Sequence, residues 1–132
     1  MTRTTRRLNL LATSFAFALA GALALSGVAL LARGENAEHV KQLKETGSCP
    51  GCELTNANLV NVQAEKGDLQ NANARYANLY GANFKGANLT GADFHEAFLL
   101  HADLSDAVGA DLSGAKTNSD TICPDKTQGP CK

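Results

Sequence analysis

From Cys52 onward a large apolar residue recurs at every fifth position, and a small one stands two places before it. The segment 77–94, ANLYGANFKGANLTGADF, shows the pattern most clearly: Ala, then Asn or Asp, then Leu or Phe, then two freer positions often ending in Gly. An α-helix turns about 100° per residue, so five residues advance about 500° and the large side chains would spread around the cylinder. A strand has a period of two, so an odd repeat would throw alternate large residues onto opposite faces. The period fits a chain that makes a short extended run and a corner in every repeat, bringing the large side chain back inside each time. Such a unit cannot bury its apolar face alone; stacked neighbours supply the core of a solenoid.

With the large residue as centre, the series runs Leu54, Leu59, Ala64, Leu69, Ala74, Leu79, Phe84, Leu89, Phe94, Leu99 and Leu104, eleven repeats without a slip. The small series is Cys52, Ala57, Val62 and Gly67, then Ala at every fifth position from Ala72 to Ala102. Both should point inward. The pattern breaks at Ala107-Val108-Gly109 and restarts at Ala110-Asp111-Leu112. The eight-residue step from Leu104 to Leu112 is one repeat plus three residues and predicts a corner loop there. Thr117 and Ile122 continue the centre series. Ahead of the repeats, ENAEHVKQLKET (Glu35 to Thr46) places Ala37, Val40 and Leu43 on one side at helical spacing, and Gly47 follows as a stop signal. This predicts a short amphipathic helix covering the first coil, an end that would otherwise expose core and unpaired backbone.

The repeats resemble the pentapeptide-repeat family, whose motif is A(D/N)LXX, over Cys52 to Ile122. The stretch VKQLKETGSCPGCELTNANL is similar to the lead-in segment of exported bacterial members, with a CPGC pair just before the first repeat. The resemblance implies an all-β solenoid: a right-handed parallel β-helix of nearly square, quadrilateral cross-section with four repeats per coil, here about three coils. Departures from the motif are Ala64 and Ala74 at the centre, Val62 and Gly67 in the small series, and Phe98 where Asn or Asp belongs. Four repeats per coil stack residues 20 apart. The interior columns become Leu54–Ala74–Phe94, Leu59–Leu79–Leu99, Ala64–Phe84–Leu104 and Leu69–Leu89, the last expected to meet Leu112. Phe84 over Ala64 and Phe94 over Ala74 fill a narrow core, large against small.

Composition agrees with a narrow core: aromatics make up 5% of the chain and there is no Trp. Arg3, Arg6 and Arg7 precede an uncharged run of 25 residues, Leu8 to Ala32, and Arg33 follows it. Positive charge followed by an apolar stretch is the signature of a secretory signal, with Ala22-Leu23-Ala24 and Ala24-Leu25-Ser26 as cleavage sites. The run is also long enough to span a bilayer. A cleaved signal is the expectation and a retained anchor the alternative; either way the remainder should lie in the periplasm or cell envelope. The expected organisation is 1–33 signal or anchor, 34–48 capping helix and linker, 49–122 β-helix, and 123–132 a Cys-containing tail. Four of the 12 Lys and Arg lie in residues 1–33, which leaves eight against 13 Asp and Glu, a net charge of −5. An acidic remainder argues against nucleic acid as a partner, and a membrane enters only if the N-terminal segment is retained.

Cys49, Cys52, Cys123 and Cys131 raise two readings, zinc or disulfides. In the implied fold the two pairs lie at opposite ends, roughly 14 Å or more apart at about 4.8 Å per coil, too far for one metal. Outside the cytoplasm paired Cys become disulfides, and proximity selects Cys49–Cys52 and Cys123–Cys131. A redox role for CPGC needs the first Cys at a helix start, whereas here a helix ends before it. Haem attachment needs His after the second Cys, where Glu53 stands. His95, His101, Glu96, Asp103 and Asp106 fall on outward positions spread over different faces and read as solvated surface. No nucleophile–base constellation, metal cluster or phosphate loop stands out, so no cofactor and no enzymatic activity are expected. Asn58, Asn73, Asn78, Asn83, Asn88, Asp93 and Asp103 read as residues that bond backbone at turns.

Val60, Tyr80 and Leu100 are spaced by 20 and should stack on one outer face, with Phe98 beside them. Contiguous exposed apolar residues tend to mark contacts. The candidate is a homodimer or protein-partner contact centred on Tyr80, Phe98 and Leu100, unless the N-terminal helix covers that face with Val40 and Leu43. The leading function is a non-enzymatic exported structural or protein–protein interaction module. Family resemblance adds an alternative, an acidic rod that mimics DNA and binds a topoisomerase, which the export segment contradicts. A third is a thiol-active periplasmic protein using Cys49 and Cys52.

Overall fold

The structure, a computed structural model, describes residues 36–131; the expected signal or anchor at 1–33 lies outside the described residues. Helix α1, Ala37–Thr46, starts where Asn36 Oδ1 accepts the N–H groups of Glu38 and His39 at 3.1 and 3.4 Å, a side-chain cap on otherwise orphan donors. It stops where Gly47, at φ 71°, donates its N–H to Leu43 O. Ala37 is exposed, so the apolar stripe narrows to Val40 and Leu43, both buried. The segment replaces the coil that is missing beneath the first one. His39 Nδ1 accepts the Glu53 N–H at 2.9 Å, and Ser48 Oγ accepts the Asp68 N–H at 2.9 Å. The departure at Gly67 follows from this cap: a Cβ there would come within 1.9 Å of Gly47 O. Val60 and Tyr80 stay more than 40% exposed, so α1 serves the end of the solenoid and leaves that outer face open.

Beyond the cap, each repeat has only three extended residues before it turns. That is too short for a continuous strand, so the levels are joined by isolated parallel bridges. Face 1 is Glu53–Asn73–Asp93–Asp111, face 2 Asn58–Asn78–Phe98–Lys116, face 3 Gln63–Asn83–Asp103–Ile122, and face 4 Asp68–Asn88–Val108. At each corner the large residue's C=O accepts the N–H of the next small residue, as in Leu79 O from Ala82 at 3.1 Å. The residue before that small one has positive φ, between 56° and 72° from Asn56 to Asp106, the third position of a type II turn. Asn and Gly suit it; Lys66, Tyr76, Glu96, His101 and Asp106 occupy it as well.

Adjacent coils exchange several backbone bonds per repeat: Leu54 N–H to Asn73 O, Asn56 N–H to Arg75 O, and Asn73 N–H to Cys52 O, at 2.7 to 3.0 Å. The Asn and Asp side chains complete the corner. Asn78 Oδ1 accepts the Tyr80 N–H at 3.2 Å, and Asp93, Asp103 and Asp111 make the same bond to the residue two places on. Inside, both small and large series from Cys52 to Leu104 are buried. Phe84 and Phe94, set against Ala64 and Ala74 of the neighbouring coil, meet edge to face with ring centroids 6.0 Å apart, a favourable aromatic geometry.

The last coil corrects the sequence reading. Asp111 bridges Asp93, so Leu112 joins the column Leu54–Ala74–Phe94 and not Leu69–Leu89. The break is therefore two repeats shortened by two residues, not one lengthened by three. Gly109, at φ 69°, makes the early turn directly over Thr90, whose Cα would lie 2.7 Å from a Cβ there. Ile122 bridges Asp103 and takes the outward position, so the inward residues are Thr121 and Cys123. Thr121 donates its hydroxyl to Leu99 O at 2.9 Å. Three faces thus carry a fourth level. Above face 3 the tail folds back, Gln128 pairing antiparallel with Ile122.

This register predicts a ranking. Phe84→Ala leaves an unfilled space beside Ala64 and should destabilise by about 3–5 kcal/mol. Asn83→Ala removes an exposed bond to the Lys85 N–H and should cost about 1 kcal/mol or less. Urea unfolding that ranked them the other way would place the side chains on the wrong sides of the wall. Gly67→Ala, which drives a methyl into the Gly47 carbonyl, should also lower the midpoint, whereas Ala87→Gly in an interior coil should act only through lost burial and backbone entropy.

Candidate interaction face

Face 2 carries the exposed apolar surface. Among the described residues the exposed large hydrophobics are Val60, Tyr76, Tyr80, Phe98 and Val108. Four of the five border face 2, Phe98 on it, Tyr76 at its corner with face 1, and Val60 and Tyr80 at its corner with face 3; Val108 stands alone on face 4. Leu100 is half-buried beside them. Tyr76, which the sequence reading passed over, sits in the same corner column as Glu96, one coil earlier. Glu96 reaches across face 2 to Lys116 at 2.9 Å, which shows the way that column points. Tyr80 lies against His101, with centroids 4.9 Å apart. The Lys116 ammonium rests 4.4 Å from the Phe98 ring centroid, within cation–π range.

Two of these aromatics stand where local chemistry prefers something else. Every other bridged residue of face 2 in the regular coils is Asn, and its side chain takes the N–H two places on. Phe98 offers no acceptor, so the Leu100 N–H loses that partner. Tyr76 has φ 58°, the left-handed region where a bulky side chain costs about 1 kcal/mol or more relative to Gly or Asn. Asn56 and Gly114 fill the same corner in the first and last coils. The signal was present in the sequence as an aromatic at the fifth position of a repeat, but it needed the turn type to be read.

Four of the acids have a base beside them. Asp93 binds Arg75 at 3.0 Å, Glu96 binds Lys116, Asp106 binds Lys126 at 2.9 Å, and Asp120 meets His101 at 3.4 Å. Glu53, Asp93 and Asp111 lie in one column on face 1, where Arg75 offsets Asp93. On face 1 a shallow concavity of about 350 Å³ is lined by Arg75, Asp93, His95, Asp111 and Ser113. Its carboxylates are already engaged: Asp93 with the His95 N–H and Arg75, Asp111 with the Ser113 N–H. Among the described residues no group of three or more His, Cys, Asp or Glu could hold a metal ion. Cys49 is joined to Cys52 and Cys123 to Cys131. Both sulfur-bearing residues of the CPGC pair are buried, which leaves no accessible sulfur for exchange.

The family profile for pentapeptide repeats matches this chain in eight copies, over residues 52–91, 68–106 and 77–116. The chain is a pentapeptide-repeat protein. Among solved structures it is similar to a pentapeptide repeat protein from the thylakoid lumen of Arabidopsis thaliana, at 27% identity and a TM-score of 0.54. The match covers 73% of this pentapeptide-repeat protein and 66% of the plant chain. It is also similar to a pentapeptide repeat protein from the cyanobacterium Cyanothece, at 21% identity over 65% of this chain and 97% of the other, with a TM-score of 0.42. A third, involved in heterocyst differentiation regulation in the cyanobacterium Nostoc, matches at 23% identity over 58% and 63% of the two chains, with a TM-score of 0.27. None of the curated proteins matches.

The engaged carboxylates set the pH response. The His95 N–H, then Arg75, hold the Asp93 carboxyl below its ordinary value, and the Thr55 hydroxyl, then Asn73, do the same for Glu53. A carboxyl depressed in the folded state contributes its full stability above the unfolded value, about 3.9 for Asp, and loses it as pH falls through the folded value. The thermal midpoint should therefore hold from neutral pH to about pH 5 and drop below about pH 4. Asp93→Asn keeps an acceptor for His95 but removes the titration, so its midpoint should fall less over the acid range. An unchanged acid slope would show that Asp93 contributes nothing to it.

Proposed function

We propose that this pentapeptide-repeat protein is an exported, non-enzymatic module of the periplasm or cell envelope that holds a protein partner on face 2. The observation that carries the reading is the gathering of Val60, Tyr76, Tyr80 and Phe98 on one face, two of them at positions where turn chemistry favours Asn or Gly. Tyrosine-rich, uncharged surface of this kind suits protein contacts. Export draws support from the Arg-flanked apolar run at residues 8–32, from two joined cysteine pairs, and from the lumenal location of the Arabidopsis protein it is similar to. A DNA-mimic role is the weaker reading because the apolar run at residues 8–32 argues for export away from a cytoplasmic target, and because three of the acids are ion-paired with Arg or Lys. A thiol-active role is weaker because Cys49 and Cys52 are buried.

Fractionation and mass spectrometry test this together. The protein should be found outside the cytoplasmic membrane, and native alkylation should label no thiol. Non-reducing peptide maps should contain the 49–52 and 123–131 links. Recovery in the cytoplasm with free thiols would sink the export reading, and a link between the two ends would contradict the stacking itself.

A further inference from the structure

The partner can be named more closely, on the footing of the reading just given. We propose that face 2 is a homodimer interface, in which the face of one chain meets the same face of a second copy across a two-fold axis. A two-fold contact sets a patch against itself, so any uncompensated charge meets its own copy. That requirement separates the faces. Face 1 would oppose Glu53, Asp93 and Asp111 with only Arg75 between them. Face 3 and its corner would oppose Glu65, Asp103, Asp106 and Asp125 with three lysines interspersed. Face 4 is nearly neutral, but its one exposed large apolar residue is Val108.

Face 2 differs in its apolar content and in where its charge lies. Its middle is Asn58, Asn78 and Phe98, with no charge. At one edge Glu96 and Lys116 cancel at 2.9 Å; at the other the Asp120 carboxylate, 3.4 Å from the His101 ring, is the one acid among the face's described residues without a Lys or Arg partner. A net charge of −5 over residues 34–132 makes copies repel in most orientations, and leaves this apolar face, whose middle bears no charge, as the one where they can approach. The face is built of four bridged levels, and bridged faces stack through interdigitating side chains at about 10 Å. Tyr76, Tyr80 and Phe98 supply the aromatic anchors that such contacts depend on.

The local violations supply a signature that general stickiness would not. Phe98→Asn restores the side-chain acceptor for the Leu100 N–H, and Tyr76→Asn places a residue suited to φ 58°. Both should hold or raise the thermal midpoint of the monomer while weakening association. The test is sedimentation of the chain as recovered from the cell, with the N-terminus it carries there, over a concentration series. The wild type should dimerise, and Tyr76→Asn with Phe98→Asn should weaken the dimer by about tenfold or more, with an undiminished melting temperature at concentrations where both chains are monomeric. Val108→Asn, on face 4, should leave the dimer intact. A wild type that stays monomeric at every concentration overturns the proposal, without touching the test of export. So does a dimer that the double variant leaves unchanged, or one that Val108→Asn dissolves. Flotation with neutral phosphatidylcholine vesicles, seen for the wild type and lost in the double variant, would assign the face to lipid and overturn it as well.

Discussion

The backbone bonds between coils are the constraint from which the rest follows. From Asn73 to Val108 every residue at the Asn/Asp position offers its N–H to one neighbouring coil and takes a bond on its C=O from that same coil, as Asn73 does with Cys52 and Leu54. A buried or half-buried backbone group left unpaired costs about as much as a lost hydrogen bond, so successive coils must keep a common length. Twenty residues is that length from Glu53 to Val108. Once it is kept, the columns are fixed, Phe is set against Ala, and each outward side chain inherits neighbours 20 residues away rather than beside it in the chain.

That last relation explains what was legible in the sequence. A period of five with an inward pair was enough to give the solenoid, the core from Leu54 to Leu104 and the outward sense of Tyr80 and Phe98. It could not give ion pairs. Residues 86–115 contain five acids and no Lys or Arg, yet Asp93, Glu96 and Asp106 find Arg75, Lys116 and Lys126 in the coils before and after. An acidic run in the chain is therefore offset in part by bases from other coils. The last coil was misread for a related reason: Leu112 looked like the next member of a count, and only its bridging partner tells which column it enters. Tyr76 was passed over because its position is defined by turn type, which the repeat spacing does not state.

The ends of the rod are solved by chemistry that the repeat does not contain. Where a coil is missing below, a histidine ring and a serine hydroxyl accept the N–H groups of Glu53 and Asp68. At the other end the chain turns back and lays Gln128 against Ile122, with Cys131 joined to Cys123. Neither device presents the regular ladder of backbone donors that a free coil would, which disposes the rod against unlimited end-to-end growth.

The unequal coils also bear on how such a chain can change by descent. Between the first three levels every bridge spans 20 residues, whereas the steps into the last are 18, 18 and 19 on faces 1, 2 and 3. A codon lost from an interior coil would shorten every bridge that spans it, toward both the coil before and the coil after, and move the side chains of those pairs from the wall's inside to its outside. A codon lost in the final coil disturbs one neighbour only. Length variation in this lineage should thus accumulate as whole coils in the middle and as odd residues at the carboxyl end, so that the rod's two halves record their history in different units.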